Sequence, residues 1–196
     1  GLRHQEIFTG ADPELLREEN KEQSGIHDRP RMRELFWAET AAERREKLLP
    51  FFWRELAPQG IVLGNRAIGS KVGMRNQHRF SYPGYSEILN GQAVPEVTSN
   101  DAIFSPWQTV LEYLREQKGW KTADVAVFGS WKIFNWIAMR EEGAIFCNAG
   151  YERMPDGVLS ERGRVFDRAQ FEMLSPWDSV RHDLPTLELA LDYVRE

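Results

Sequence analysis

The sequence predicts an α/β fold in three layers, in which helices cover both faces of a mostly parallel sheet. Short apolar segments of strand length alternate with segments whose apolar residues recur at helical spacing. One such alternation, over residues 124–148, has the strand, helix, strand order of a βαβ unit. Fully apolar strands are typical of sheets buried on both faces by crossover helices. Because no internal repeat or low-complexity linker interrupts the chain, residues 1–196 are predicted to form a single α/β domain.

The elements of the first half of the chain follow from local signals. Residues 10–35 are rich in charged side chains and are expected to be irregular or partly helical. Thr40 and Glu43 have the spacing of a capping box, which predicts the start of an amphipathic helix that Gly60 ends. The apolar residues 61–63 then predict a short buried strand.

The second half of the chain contains clearer alternation. Ser105 and Pro106 are typical of an N-cap and a first helical position, and they predict a helix that ends at Gly119. The remaining predicted elements, in chain order, are a strand (124–129), a helix (131–140), a strand that follows Gly143 (144–148) and a helix (185–196) with Asp183 as its cap.

Composition excludes several classes of partner. The 196 residues include 25 Lys and Arg against 30 Asp and Glu, for a formal net charge of −5. Such a chain offers no general attraction for nucleic acid or for an anionic membrane, and no apolar run approaches the roughly 20 residues that span a bilayer. Local groups must therefore hold any anionic substrate. Cys147, the only cysteine, has apolar neighbours and is predicted to be an inert core thiol.

The segment around Ser81 carries the strongest functional signal. Pro83 suits the first turn of a helix and Gly91 suits a helix end, so this spacing places Ser81 at a helix N-terminus. Free backbone N–H groups and the helix dipole favour a phosphate or sulfate there. A serine hydroxyl attacks only weakly unless a base or a metal ion activates it. On the local pattern alone, a plain N-cap is the favoured role of Ser81.

Four segments together carry a family resemblance. They are residues 1–12 (GLRHQEIFTGAD), 80–91 (FSYPGYSEILNG), 127–131 (VFGSW) and 147–151 (CNAGY). They resemble a bacterial branch of the alkaline phosphatase superfamily, which includes phosphatases, sulfatases, phosphodiesterases and cofactor-independent phosphoglycerate mutases. The resemblance covers nearly the whole chain, and the second segment is its most specific part. In sulfatases and phosphodiesterases of the superfamily, the nucleophile stands two residues before a proline, as Ser81 does.

The resemblance implies a function and a site. It implies that Ser81 is the nucleophile of a metal-dependent hydrolase of phosphate, sulfate or phosphonate esters, and that the Ser81 alkoxide is also a metal ligand. Asn100 lies where phosphodiesterase-like members bind a nonbridging oxygen, although Asn100 equally suits a plain turn. Two divalent ions are implied in the intact protein, zinc or else manganese, magnesium or calcium. The implied partner is a small-molecule ester, without nucleic acid or membrane, and the implied location is periplasmic or secreted.

The sequence departs from the family pattern at the metal ligands. The first metal-binding Asp of the family stands immediately before the glycine that is Gly1 here, and further Asp and His ligands are expected beyond Glu196. We therefore expect this chain to correspond to an N-terminal fragment of the alkaline-phosphatase-like domain, and to be inactive and poor in metal by itself.

Two other functions stay open. Ser86 and Glu87 suit a phosphoglycerate-mutase-like isomerase, which would move a phosphoryl group between hydroxyls of one small acid. The second is a non-catalytic α/β binding module. Trp107, Trp131 and Trp177 lie near the starts of elements and are candidates for lining a cleft.

Overall fold

The computed structural model describes residues 3–17, 28–173 and 175–195. The chain divides into two compact units, Gly1–Gly73 and Met74–Glu196, and each is described by itself. That the two units make up one α/β domain stays a prediction. No helix in the described ranges is long and apolar enough to cross a membrane.

The first unit is built from short helices. Thr40 Oγ1 accepts the Glu43 N–H at 3.2 Å, and the Glu43 carboxylate accepts the Thr40 N–H at 3.3 Å, which confirms the predicted capping box. The helical path continues toward Gly60 with interruptions. In chain order the elements are α1 (His4–Thr9), a 3₁₀ turn (Glu14–Leu16), α2 (Arg29–Phe36), α3 (Ala41–Leu48), a π-helical segment (Phe52–Leu56), α4 (Ala57–Gln59) and a second 3₁₀ turn (Arg66–Ile68).

Close packing of α1 against α3 organises this unit. Gly10 ends α1 with φ of 77°, and a Cβ at this position would lie 2.3 Å from the backbone carbonyl carbon of Arg44. Only glycine meets both conditions without strain. The Trp53 indole N–H donates to the Ile7 carbonyl at 3.0 Å and ties the π-helical segment to α1.

The strand predicted at residues 61–63 is wrong. This segment has no regular secondary structure, and Ile61 and Leu63 are 88% and 66% exposed. A strand needs a neighbour that pairs with its N–H and carbonyl groups, and no strand of the described part of this unit offers one. Three apolar residues alone did not distinguish a buried strand from an exposed connection.

The second unit contains the predicted βαβ arrangement. Strands β1 (Ala126–Gly129) and β2 (Phe146–Ala149) pair in parallel, with Ala126 opposite Phe146 and Gly129 opposite Ala149. The described residues therefore have an α/β fold with a small parallel sheet. The helices of this unit are α5 (Ser81–Asn90), α6 (Val110–Lys118), α7 (Phe134–Ile137), α8 (Glu161–Ala169) and α9 (Asp183–Arg195).

Two buried clusters form the core of this unit. One contains Tyr82, Val94, Val97 and Ile137, and the other contains Val125, Ala138, Met139 and Ile145. Because Ile137 and Ala138 are consecutive, the connection between β1 and β2 joins both clusters. Ile137 of this connection shares a cluster with Tyr82, so the connection supports the start of α5, where Tyr82 follows Ser81.

The helix predicted from Ser105 and Pro106 begins later than expected. Its N-cap is Thr109, whose Oγ1 accepts the Glu112 N–H at 3.4 Å. Ser105 is buried instead, and its hydroxyl donates to the Trp107 carbonyl at 2.7 Å. Local side-chain to backbone bonding thus holds Ser105 in a loop, where a hydroxyl suits a turn as well as a cap.

The remaining boundaries differ by a few residues or more. The predicted helix over residues 131–140 is shortened to α7, and the two predicted strands are shortened to β1 and β2. The final helix is present as Asp183–Arg195, but the predicted cap is wrong, because Asp183 is the first residue of the helix itself. Helix α8 was not predicted, although Ser160 caps it by accepting the Gly163 N–H at 3.1 Å.

Candidate active site

The helix predicted to follow Ser81 is present, and Ser81 is its first residue. Phe80 is the N-cap in an extended conformation, and no side chain caps this end. The interpretation of Ser81 as a plain N-cap is therefore wrong. Gly91 ends the helix in the left-handed conformation with φ of 72°, as the sequence predicts.

Ser81 is exposed, whereas the residue after it is fully buried. The Tyr82 ring lies in the first core cluster, and its hydroxyl donates to the Ile103 carbonyl at 2.7 Å. Burial raises the pKa of Tyr82 to about 12. The start of α5 is thus fixed from below by Tyr82 while the Ser81 hydroxyl stays accessible.

Asn100 is brought to the start of α5. Its Oδ1 accepts the Tyr82 N–H at 2.9 Å, which orients the side-chain amide. The Nδ2 group of Asn100 donates no hydrogen bond to any other residue in the described ranges, and Asn100 is exposed. It therefore has two N–H donors free for an external acceptor next to Ser81.

The backbone at the start of α5 adds a further donor. Neither the hydroxyl nor the N–H of Ser81 has a hydrogen-bond partner among the residues that the structure describes. The Tyr82 N–H is taken by Asn100, and Pro83 has no N–H. The Ser81 N–H and the Asn100 amide are thus the donors that could bind an oxyanion at this helix start.

Ser81 also lines a cavity of 530 Å³ at the carboxyl end of β1. Ligands of open α/β sheets bind at this end of the strands. Trp131 lines the cavity, as the sequence suggests, whereas Trp107 packs against the Tyr82 cluster and Trp177 is largely exposed. Asn100 is not among the lining residues, which are Ser81, Tyr85, Phe128, Gly129, Ser130, Trp131, Phe134, Asp183, Thr186, Leu187 and Ala190.

Polar side chains meet on the α9 side of the cavity. Ser130 Oγ donates to Asp183 Oδ1 at 2.5 Å and lies 2.9 Å from Thr186 Oγ1. The sequence suggested Asp183 only as a helix cap and gave no sign of Ser130 or Thr186 as site residues. The spacing of Asp183 and Thr186 by three residues on one helix face was the available signal.

A buried arginine supports these polar groups. Arg181 is 1% exposed, and its Nε donates to Thr186 Oγ1 at 2.8 Å. Its other nitrogens donate to Gln170 Oε1 at 3.0 Å and to the Asn148 carbonyl at 3.1 Å. Burial lowers the pKa of Arg181 to about 10, so the guanidinium is still charged at neutral pH. Arg181 thereby links Thr186 on α9 to the Asn148 carbonyl on β2.

Ser86 and Glu87 have contacts within the fold. Ser86 is fully buried, and the Asn90 amide donates to its carbonyl at 2.8 Å. The Glu87 carboxylate accepts backbone N–H bonds from Arg75 at 2.6 Å and Asn76 at 3.1 Å, and these bonds lower its pKa. Neither residue lines the cavity beside Ser81.

Cys147 is half-buried on β2, and burial raises its pKa to about 12. This supports the predicted inert thiol. No group of three or more His, Cys, Asp or Glu side chains in the described ranges could hold a metal ion. The described residues therefore do not form the metal site that the resemblance implies around Ser81.

Comparisons with known proteins give no relative from which a function could be transferred. No family model matches the chain, and searches of curated proteins and of solved structures find no match.

Proposed function

We propose that this chain carries the nucleophile of a phosphate-ester hydrolase of the alkaline phosphatase superfamily, with Ser81 as the attacking residue. One observation carries the proposal: the exposed Ser81 hydroxyl stands at the start of α5, beside an Asn100 amide held by the next backbone N–H. The three-layer arrangement around a larger parallel sheet belongs to the same proposal. Sulfate and phosphonate esters present a similar tetrahedral oxyanion and belong to the same substrate class.

The chain's own donors can bind the oxyanion. With a formal net charge of −5, the chain as a whole repels an anionic ester, so binding depends on local donors. The Ser81 N–H, the positive end of the α5 dipole and the Asn100 amide supply them. Because both donors are fixed before substrate binds, they stabilise charge that develops in the transition state.

The proposed reaction has two displacements. The Ser81 Oγ–P bond forms as the P–O bond to the alcohol breaks, the serine proton passes to water, and the leaving alkoxide takes a proton from water. Water then displaces the serine oxygen from phosphorus, which releases phosphate and restores Ser81. A phosphoserine intermediate follows from this scheme.

The metal ions implied by the resemblance are not part of these steps. The described residues bring together no set of His, Cys, Asp or Glu ligands that fits them. In these steps Ser81 forms the bond to phosphorus, and the Ser81 N–H and the Asn100 amide position the oxyanion.

The isomerase alternative differs in its product. A phosphoglycerate-mutase-like enzyme would move phosphate between hydroxyls of one small acid and release little of it. Ser86 and Glu87, which suggested this function, bind Asn90 and the backbone of residues 75–76 rather than the cavity. These contacts favour the hydrolase. A non-catalytic binding module would produce neither free phosphate nor an isomerised phosphate ester.

The test compares variants of the complete protein in ester hydrolysis. Ser81→Ala is expected to lower kcat by on the order of 10³-fold or more, since it removes the nucleophile. Asn100→Ala is expected to lower kcat by about 10²-fold, the usual effect of losing one oxyanion donor. Ser179→Ala is the control, because the Ser179 hydroxyl lies outside the cavity and bonds to no other described residue. Near-normal hydrolysis by Ser81→Ala would overturn the proposal.

A further inference from the structure

The cavity beside Ser81 has an aromatic wall. The rings of Tyr85 and Phe134 are 4.8 Å apart at an interplanar angle of 59°, and those of Trp131 and Phe134 are 6.5 Å apart at 88°. Tyr85 is on α5, one turn after Ser81, whereas Trp131 and Phe134 follow β1. Aromatic faces and edges arranged in this way bind a planar ring more favourably than their contact area alone predicts.

The opposite side of the cavity is polar and carries one formal charge. Asp183 is the only Asp, Glu, Lys, Arg or His among the described residues that line it. Its Oδ1 accepts the Ser130 hydroxyl, and no other hydrogen bond within the described ranges occupies Oδ2. The cavity thus accepts hydrogen bonds at this wall and repels a second negative charge.

We propose, on the basis of the proposed function, that this cavity binds the alcohol part of the ester and selects an aromatic alcohol without a further negative charge. Its volume of 530 Å³ lies within the usual range for a small-molecule site, and Ser81 lies on its lining. An ester bound at Ser81 therefore places its alcohol against the Tyr85, Phe134 and Trp131 rings.

Arg181 has a positioning role in this subsite. Its Nε holds Thr186 Oγ1, which lies beside Ser130 Oγ, and Ser130 donates to Asp183. The Arg181 guanidinium donates to Thr186, Gln170 and Asn148, whereas the Asp183 carboxylate is held by the Ser130 hydroxyl.

The first experiment measures kcat/KM of the complete protein for three esters. Benzyl phosphate and cyclohexylmethyl phosphate have groups of similar size, and their alcohols have similar acidity, so their ratio reports the aromatic wall. We expect benzyl phosphate to be preferred about fivefold. The third ester, 4-carboxybenzyl phosphate, adds one negative charge and is expected to be poorer than benzyl phosphate by about tenfold. Equal values for all three would overturn the proposal.

The second experiment assigns the charge discrimination to Asp183. In Asp183→Asn the ratio between benzyl and 4-carboxybenzyl phosphate is expected to fall close to one. Asp178→Asn makes the same change of charge at an exposed residue outside the cavity, and it should keep the full ratio. An unchanged ratio in Asp183→Asn, or an equal fall in both variants, would contradict the assignment.

Binding separates failure of the subsite from failure of the proposed function. Benzylphosphonate and 4-carboxybenzylphosphonate are not hydrolysed, and calorimetry reports their affinity for the chain whether or not it turns over. Benzylphosphonate that binds more tightly than 4-carboxybenzylphosphonate, in a manner that depends on Asp183, supports the subsite. Unchanged hydrolysis in Ser81→Ala would remove the proposed function but not this result. Hydrolysis that depends on Ser81 without any preference among these ligands would remove the subsite only.

Discussion

Removing the Tyr82 hydroxyl tests how the Ser81 turn is held. Tyr82 is fully buried, and its hydroxyl donates to the Ile103 carbonyl at 2.7 Å. The same hydroxyl lies 3.4 Å from the Trp136 carbonyl, so Tyr82→Phe keeps the ring in the core cluster and removes the contact with both carbonyls. The variant should therefore fold, with the start of α5 less firmly attached to the loop that follows Asn100.

The expected loss of stability is that of one hydrogen bond, because the hydroxyl has one hydrogen and the Ile103 carbonyl is its nearer acceptor. A typical intramolecular hydrogen bond contributes about 1 kcal/mol, which for a chain of this size lowers Tm by roughly 2–4 °C. The pH dependence gives a second readout. Burial raises the pKa of Tyr82 from 10.0 to about 12. The contribution of the neutral hydroxyl to the free energy of unfolding is therefore complete below pH 10 and is lost as the pH rises toward 12. Tyr82→Phe should lose less stability than the wild type over that range.

Urea unfolding at pH 8 and at several values up to pH 12 measures both effects. Tyr113→Phe is the matched control, because Tyr113 is 50% exposed and its hydroxyl has no hydrogen-bond partner in the described ranges. Equal stability and an equal alkaline slope in Tyr82→Phe and Tyr113→Phe would show that the Tyr82 hydroxyl does not stabilise the start of α5.

Two further predictions concern other parts of the same unit. At pH 8, Cys147 should react with a thiol reagent at least 10²-fold more slowly in the native chain than in urea. The reason is its pKa of about 12, which leaves roughly one thiol in 10⁴ ionised. Equal rates in the native and unfolded chains would contradict the burial of Cys147. Glu87→Gln should lower Tm at neutral pH and reduce the loss of stability in acid. Backbone N–H bonds from Arg75 and Asn76 lower the pKa of Glu87. The stability that these bonds contribute is lost as the pH falls through that pKa, and the Gln variant has no carboxylate to lose. Thermal melts from pH 7 to 3 check this, with exposed Glu96→Gln as control, and parallel curves for the two variants would refute it.

The elements predicted correctly are those whose signals are local. Pro83 and Gly91 locate α5 because proline suits a first turn and glycine accepts the left-handed end conformation. The Thr40 capping box was readable for the same reason, since both of its hydrogen bonds join residues three positions apart. Such features depend on neighbouring residues and little else.

The secondary-structure predictions were wrong where contacts with residues distant in the sequence determine the local conformation. Ile61 and Leu63 have apolar side chains suited to a strand but no strand to pair with in the described part of their unit. Ser105 has the chemistry of a cap, yet burial and a bond to the Trp107 carbonyl place it in a loop. Propensity supplies only a weak expectation in such cases, because tertiary contacts outweigh it.

The site was predictable in part. Ser81 could be placed at a helix start, and the family resemblance drew attention to Asn100, but the Asn100 bond to the Tyr82 N–H joins residues 18 positions apart. Ser130 and Asp183 are 53 positions apart, and no pattern in the sequence links them. Their meeting depends on how α9 packs against β1.

The identity of the phosphorylated residue tests most directly whether Ser81 is the nucleophile. The complete protein is mixed with benzyl phosphate and quenched in acid, and its peptides are analysed by mass spectrometry. We expect one added phosphoryl group on Ser81, and we expect Ser81→Ala to lose both this group and turnover. Rapid hydrolysis with the phosphoryl group on another residue, or with full turnover in Ser81→Ala, would contradict it.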